Sequence, residues 1–557
     1  MTTLPALRVE FAPTLLAWPF LVLLALVTPA IVLSVARRDR LAQLPLLLAF
    51  IAAMAAVLLS QTLAAFALSW EAMTLVSAFL VATYHERRAV RRALFSYLII
   101  GQIGAVCIIA VLALLAAHAN SVAFAVIARA AATLPPDLRA AIVLLALAGF
   151  GSKAGLVPLH FWLPRAHPVA PPAASALLSG VMLKVAIYGL LLVCAVLAAP
   201  VGAALGMTIM IAGLLSALAG SLYAAIETDL KRLLAFSSIE NVGIIVAALG
   251  FALVALAYAQ PLLAGIALAA LLFHVLAHGV FKSLLFLGAG EIAAAAHTTD
   301  LEHLGGLMHT LRYSAPAILI GCFAAAALPP LCGFASEWLL FQALLRAFTG
   351  ASHVVQIAAV LCVTAIATAS GIAAIAFTKA FATGMLGTPR STHPRTREPL
   401  NAAPAALAWL AVLALVLGAA PMLAMRPLFS LVTAIVPASA GALAWAGSVP
   451  VWIAGLPAAG AIAVLMLARA RGVRHVATWT CGSPVGVRSQ YSASAFANPL
   501  RVLLGGLTRP HADDTMRTVA AFVQRFARRT RIVQAGYVRI YLAYALAALI
   551  AVLVVVR

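Results

Sequence analysis

Four of the five lysines in this 557-residue chain, Lys153, Lys184, Lys282 and Lys379, stand inside long apolar runs rather than in the segments between them. The 31 arginines and abundant alanine point to a GC-rich gene, which accounts for the scarcity of lysine but not for its placement. An ammonium in hydrocarbon costs several kcal/mol, from about 2.5 to more than 10 by different measures, so a lysine kept there is a candidate for proton or ion handling. Two carboxylates reach equally deep, Glu71 and Glu337, while Glu240 and Glu291 sit nearer the ends of their runs. Desolvation disfavours the charged form of both types, which lets an ammonium and a carboxyl exchange protons at one working pH. At about 4 Å and an effective dielectric near 20, a Glu–Lys pair is worth roughly 4 kcal/mol, or about three pKa units. Motion of Glu71 toward or away from Lys153 would then switch that lysine between holding and releasing a proton; a static pair that fixes helix register is the competing reading.

His274, His278 and Lys282 follow i, i+4, i+8 spacing. On a helix they share one face with about 6 Å of rise per step, a gap that water bridges. A proton relay is favoured over a structural histidine pair. Zinc is disfavoured, because no third ligand is evident and a lysine one turn on would repel a cation. Lys379 lies near the end of its run, where it is either a further station or an anchor that snorkels to the headgroups.

The elements that must position these groups are transmembrane helices. Hydrophobic residues make up 65% of the chain, charged residues 9%, and the mean hydropathy is +1.11, which excludes an ordinary soluble domain. The expected fold is an all-α polytopic membrane protein. Apolar runs of bilayer length fall near 14–36, 43–62, 64–83, 93–117, 139–167, 173–197, 204–224, 238–257, 261–290, 313–347, 355–383, 404–424, 451–469 and 538–556, about fourteen helices in all. The first is too long for a signal-peptide core and leads into Arg37-Arg38 without a cleavage pattern, so it reads as a retained helix.

Segments after the odd-numbered runs hold 26 basic residues and the other side only six, termini included. By the positive-inside rule both termini face outward. Asp229-Leu230-Lys231-Arg232 reads as a basic-side loop serving topology and lipid contact. The net charge of +21 reflects this bias together with attraction to anionic lipids, not nucleic-acid binding. Six cysteines without a C-x-x-C pair offer neither a metal site nor a disulfide framework, and no nucleotide-binding motif occurs. No cofactor is expected in this chain.

Gly149-Phe150-Gly151-Ser152-Lys153 returns as Gly333-Phe334-Ala335-Ser336-Glu337, and Lys184 and Lys379 each stand five residues before a glycine, Gly189 and Gly384. The matching runs are the fifth and tenth, so two five-helix units would run in opposite directions, the inverted-repeat plan of many transporters. Both carry helix breakers beside the charge: Gly155 and Pro158 after Lys153, and Pro329, Pro330 and Gly333 before Glu337. Unwound backbone is tolerated in a membrane where it lines a polar cavity, so both helices are expected to be discontinuous.

Gly151-Ser152-Lys153 leading into Val157-Pro158-Leu159-His160-Phe161-Trp162-Leu163-Pro164, the stretch Asp229 to Ser238, and His278-Gly279-Val280-Phe281-Lys282-Ser283 resemble the proton-conducting antiporter-like subunits shared by respiratory complex I, Mrp cation/proton antiporters and membrane-bound hydrogenases. The resemblance runs from about residue 10 to 430. Ser238-Ile239-Glu240-Asn241, Glu337 within its motif, and the tail Thr478-Trp479-Thr480-Cys481-Gly482 with Gln490 to Phe496 look most like the branch containing hydrogenase-4 component B and formate hydrogenlyase subunit 3.

The resemblance implies that Glu71 and Lys153 form the switch of a first half-channel, that Lys184 passes the proton laterally, that His278 and Lys282 relay it, and that Glu337 discharges it outward. It further implies a proton-translocating subunit, without a redox centre of its own, in a hydrogenase or NADH:quinone oxidoreductase-like complex. Its partners would be other membrane and peripheral subunits in a bacterial cytoplasmic (inner) membrane, with both termini periplasmic. A sodium- or proton-exchanging Mrp-type subunit and a structural anchor that has lost transport are the alternatives.

The expected layout is an N-terminal helix in 1–42, two helices short of the family pattern, and an antiporter-like core with inverted repeats in 43–400. Additional helices follow in 401–470, a basic amphipathic segment in 471–537 resembling a short lateral helix, and a final helix in 538–557.

Overall fold

The computed structural model describes residues 9–36, 41–197, 199–390, 398–399, 402–436 and 489–504, with isolated positions between 459 and 486. Twelve of the expected membrane runs fall within these residues, and each is helical. The runs at 451–469, apart from isolated positions, and 538–556 lie outside the described residues, as does the basic stretch near 515–535.

In chain order the helices are α1 Trp18–Val35, α2 Leu44–Leu59, α3 Leu63–Val81, α4 Arg88–Ala119 and α5 Phe124–Ala130. The first discontinuous crossing follows as α6 Pro136–Ala154 and α7 Leu163–Val169, then α8 Pro172–Leu177 and α9 Leu183–Leu192, joined by a π-helical turn over Leu178–Met182. The core continues through α10 Ala203–Ile226, α11 Leu230–Ala257 and α12 Pro261–Ala296. A second discontinuous crossing, α13 Ser314–Ala325 and α14 Cys332–Arg346, precedes α15 His353–Met385, α16 Ala402–Ala419, α17 Met422–Thr433 and α18 Ala493–Leu504. Among the described residues there is no strand, and ten helical stretches are long and apolar enough to span a bilayer. The short α5, between the fourth and fifth crossings, was not expected.

Both predicted breaks are present. Gly155 adopts φ +85°, which a residue without Cβ does at little cost, and the N–H groups of Gly155 and Leu156 both close on Gly151 O at 2.9 Å, ending α6. The chain then runs without regular helix to Leu163, where Pro164 suits the first turn of α7. Backbone freed by the break is satisfied from nearby: Val157 N donates to Ser216 Oγ at 3.0 Å, and Trp162 Nε1 donates to Ser152 O at 2.9 Å. The second break spans residues 326–331. The breaks fall on the fifth and tenth crossings, so the two helices traverse the membrane in opposite senses.

The core lies around α11 and α12, which are predominantly apolar and buried on nearly every face, as helices surrounded by other helices must be, with a few buried polar residues set among the apolar ones. α10 meets α11 through small residues at seven-residue spacing, Gly206, Gly213 and Gly220 against Gly243 and Gly250. A Cβ at Gly213 would lie 2.6 Å from Gly243 O, and one at Gly220 would lie 2.8 Å from Glu240 Cα. This close approach fixes where the polar residues of α11 stand.

Candidate functional site

Lys153 closes α6 just before its break and is 2% exposed. Its Nζ donates to Tyr97 OH of α4 at 2.7 Å and to Thr74 Oγ1 of α3 at 3.1 Å, and it stands 4.4 Å from the centre of the Tyr97 ring. Tyr97 OH is also hydrogen-bonded to Ser77 and reaches Met182 Sδ at 3.7 Å. Glu71 sits one turn from Thr74 on α3, half-buried, and accepts from Gln102 Nε2 at 3.3 Å. The expected partners therefore stand near one another, with Thr74 of the same helix as Glu71 bonded to Lys153, but they do not form an ion pair. The Tyr97 and Thr74 hydroxyls occupy the ammonium because α3 and α4 present them at the depth where α6 ends.

Lys184 and Lys282 are fully buried, and polar groups of Ser179, Ser238 and Leu234 lie between them. The π turn before α9 brings Lys184 Nζ to Ser179 O at 2.6 Å, a local irregularity of the kind often found at functional sites. The Ser179 and Ser238 hydroxyls lie 2.7 Å apart. Ser238 Oγ donates to Leu234 O at 2.8 Å, and Lys282 Nζ donates to the same carbonyl at 3.3 Å.

His274 and His278 stack on α12 with ring centres 6.2 Å apart. His274 is bridged outward on both sides, with Nδ1 2.9 Å from Ser336 Oγ and Nε2 3.1 Å from Asn241 Oδ1. Asn241 Nδ2 donates to Ser237 O at 2.8 Å, and Ser237 Oγ donates to Glu240 Oε2 at 3.0 Å. Glu337, next to Ser336 and just past the second break, accepts from Ser370 Oγ of α15 at 2.7 Å. His278 is buried with no hydrogen-bond partner on either ring nitrogen among the described residues. The spacing argument therefore placed His274, His278 and Lys282 on one face, but direct hydrogen bonds do not connect the three.

Lys379, read as either a further station or an anchor, meets the backbone of another helix. It is fully buried, and its Nζ donates to Ala225 O at 2.5 Å, Glu227 O at 2.6 Å and Ala224 O at 3.3 Å. These are carbonyls at the end of α10, and Arg501 of α18 takes the intervening Ile226 O at 2.8 Å. Tyr223 O receives Glu227 N. Every orphan carbonyl of this helix terminus thus has a donor, two of the donors being cations that also suit the negative end of the helix dipole. Lys379 stands apart from the linked lysines as a helix cap.

Tyr97, Thr74, Ser77, Ser179, Asn241 and Ser370 were not singled out as site residues by the sequence. Ser238, Glu240 and Asn241 lay inside a recognised motif and Ser336 inside the repeat, whereas Thr74 is marked only by its i+3 spacing from Glu71. Together these groups can accept, hold and pass a proton at successive buried positions.

A family profile described as NADH:quinone oxidoreductase/Mrp antiporter, TM, matches residues 60–367. The chain belongs to this family. The matched region contains Glu71, Lys153, Lys184, His274, His278, Lys282 and Glu337, and stops before Lys379. Hydrogenase-4 component B of Escherichia coli (strain K12) is 43% identical over 346 residues, covering 62% of this chain and 51% of that protein. Formate hydrogenlyase subunit 3 of the same organism is 37% identical over 261 residues, 47% of this chain and 42% of that one. The chain thus spans about half the length, or less, of these two relatives. Among solved structures, a chain of the membrane-bound sulfane sulfur reductase, an archaeal respiratory membrane complex, superposes with a TM-score of 0.78 at 25% identity, covering 98% of this chain and 89% of that one. The antiporter-like chain described here is a multi-pass membrane protein.

Proposed function

We propose that this antiporter-like chain is the proton-translocating membrane subunit of a multisubunit respiratory redox complex of the hydrogenase-4, formate hydrogenlyase or NADH:quinone oxidoreductase-like kind. It carries no redox centre of its own. The observation that carries the reading is the buried bridge from Lys184 through Ser179, Ser238 and Leu234 O to Lys282. Groups this costly to bury are kept where they serve transport. Lys153 would receive a proton while held by Tyr97 and Thr74, would hold it as Glu71 approaches and would release it as Glu71 withdraws. Lys184 and Lys282 would pass it on, His274 and His278 would carry it across α12, and Glu337 would release it outward.

Electron transfer in partner subunits would supply the perturbation at the Glu71–Lys153 end. The chain would lie in a bacterial cytoplasmic membrane with both termini periplasmic and its basic loops against anionic headgroups. A Mrp-type cation/proton antiporter subunit is the second reading, favoured by the family description itself.

The two readings separate in inverted vesicles holding the assembled complex. The first expects proton uptake that requires an electron donor, is independent of sodium and is lost in Glu71→Ala. Sodium-driven exchange without an electron donor would establish the second, and undiminished uptake in Glu71→Ala would overturn the assigned switch.

A further inference from the structure

On the basic side of the membrane a cavity of about 590 Å³ opens between the first turns of α4, α7 and the start of α11. Three arginines from three different elements line it: Arg92, Arg165 and Arg232. Arg165 Nη1 donates to Ser96 Oγ at 3.3 Å, which holds its guanidinium at the cavity wall. Arg232 pairs with Glu227 at 2.8 Å yet keeps a side chain 49% exposed. Arg92 is exposed and makes no ion pair or side-chain hydrogen bond among the described residues. His160 also borders the cavity, and its Nδ1 is buried without a hydrogen-bond partner. The remaining wall is apolar, with Phe95, Phe161 and Phe236.

We propose that this cavity binds the phosphate headgroup of a single anionic phospholipid. Guanidinium groups match phosphate oxygens in paired hydrogen bonds, and three of them converge here; among the described residues Glu227 pairs with Arg232 and Asp229 accepts from the Arg232 backbone N–H. The volume suits a headgroup with its glycerol. What selects a lipid over a soluble anion is the surface that continues from the cavity. Phe95, Ile103, Val106 and Ile109 of α4 are exposed at 63%, 50%, 65% and 51% and lie at helical spacing, so they form an apolar stripe running from the arginines into the bilayer. Acyl chains would follow that stripe while the phosphate stays at the arginines. The inference extends the general attraction of basic loops to anionic membranes to one built site, and rests on the membrane topology but not on the proton path.

The test is native mass spectrometry of the full chain in detergent, titrated with phosphatidylglycerol or with phosphatidylcholine of the same acyl chains. The site predicts one preferentially retained phosphatidylglycerol. Its affinity should fall about fivefold in Arg92→Gln, from the roughly 1 kcal/mol a basic residue contributes at an anionic surface. The loss should be larger in Arg92→Gln/Arg232→Gln and only partly restored in Arg92→Lys, which returns the charge but not the paired hydrogen bonds. Arg92 is exposed, so Arg92→Gln should melt like wild type, which keeps the test independent of folding. Equal retention of the two lipids, or unchanged phosphatidylglycerol binding in the double variant, would overturn the proposal. So would competition by millimolar inorganic phosphate, which would make this a soluble-anion site.

Discussion

Replacing Lys379 by methionine separates a helix cap from a proton station. The variant removes two short bonds from a charged donor, to Ala225 O at 2.5 Å and Glu227 O at 2.6 Å, and a longer one to Ala224 O. At about 1.5–3 kcal/mol for each short charge-assisted bond the gross loss is about 3–6 kcal/mol. Methionine also removes a buried charge, whose desolvation costs several kcal/mol, so the net destabilisation is about 1–3 kcal/mol. Arg501 still holds Ile226 O, so the damage stays at the terminus. Hydrogen exchange measured by mass spectrometry on the assembled complex should show residues 223–230 exchanging about 5- to 150-fold faster in Lys379→Met. Proton translocation per assembled complex should stay near wild type. Unchanged exchange at the end of α10, together with lost translocation in a fully assembled complex, would refute the cap and make Lys379 a station.

Tyr97→Phe keeps the ring beneath the Lys153 ammonium but deletes the hydroxyl that accepts from it at 2.7 Å, a loss of about 1.5–3 kcal/mol from the proton-holding arrangement. Redox-driven proton uptake in vesicles should fall by roughly tenfold or more while the complex assembles normally. Ser238→Ala removes the hydroxyl bridge between the Lys184 and Lys282 environments and should slow proton uptake, whereas Ser238→Thr, which retains a hydroxyl, should recover much of it; equal rates in the two variants would count against the bridge. Burial holds the Glu227 carboxyl above its ordinary value despite the opposing effect of Arg232 at 2.8 Å. A raised folded-state value means the folded corner between α10 and α11 binds a proton more tightly than the unfolded chain, so its stability is greatest below about pH 4.5 and declines as pH rises through the folded value. Glu227→Gln should flatten that pH dependence, read by exchange at residues 223–233 after correction for intrinsic rates.

Much of the architecture follows from forces that act within a single segment. A bilayer demands about 20 apolar residues per crossing, so the runs declare themselves. Glycine and proline clustered beside Lys153 and Glu337, next to a charge that needs polar surroundings, mark helix breaks more strongly than a lone proline such as Pro29, which α1 accommodates, so both discontinuities could be read in advance. The buried depth of Lys153, Lys184 and Lys282 was equally legible, because an ammonium in the middle of an apolar run has few other places to go, whereas Lys379 near the end of its run left the question open. Which group each lysine meets was not, since that depends on helices far apart in sequence. Lys153 lies between Tyr97 and Thr74, 56 and 79 residues away, and neither hydroxyl differs from an ordinary helix residue until α3, α4 and α6 pack. Lys379 meets the end of α10, more than 150 residues earlier, only because α10 and α15 pack together on the basic side. The Ser179–Ser238 bridge depends on a π turn that one-dimensional hydrophobic patterning does not encode.

The central claim is that protons driven by partner redox chemistry pass through the buried lysines of this chain. The most direct test is the proton-to-electron ratio of the complex assembled with Lys153→Ala, measured in sealed vesicles with electron transfer and proton uptake recorded together. The account predicts that electron transfer persists, at the same or a lower rate, while the ratio falls to the contribution of the remaining subunits. An unchanged ratio in a fully assembled complex would contradict it.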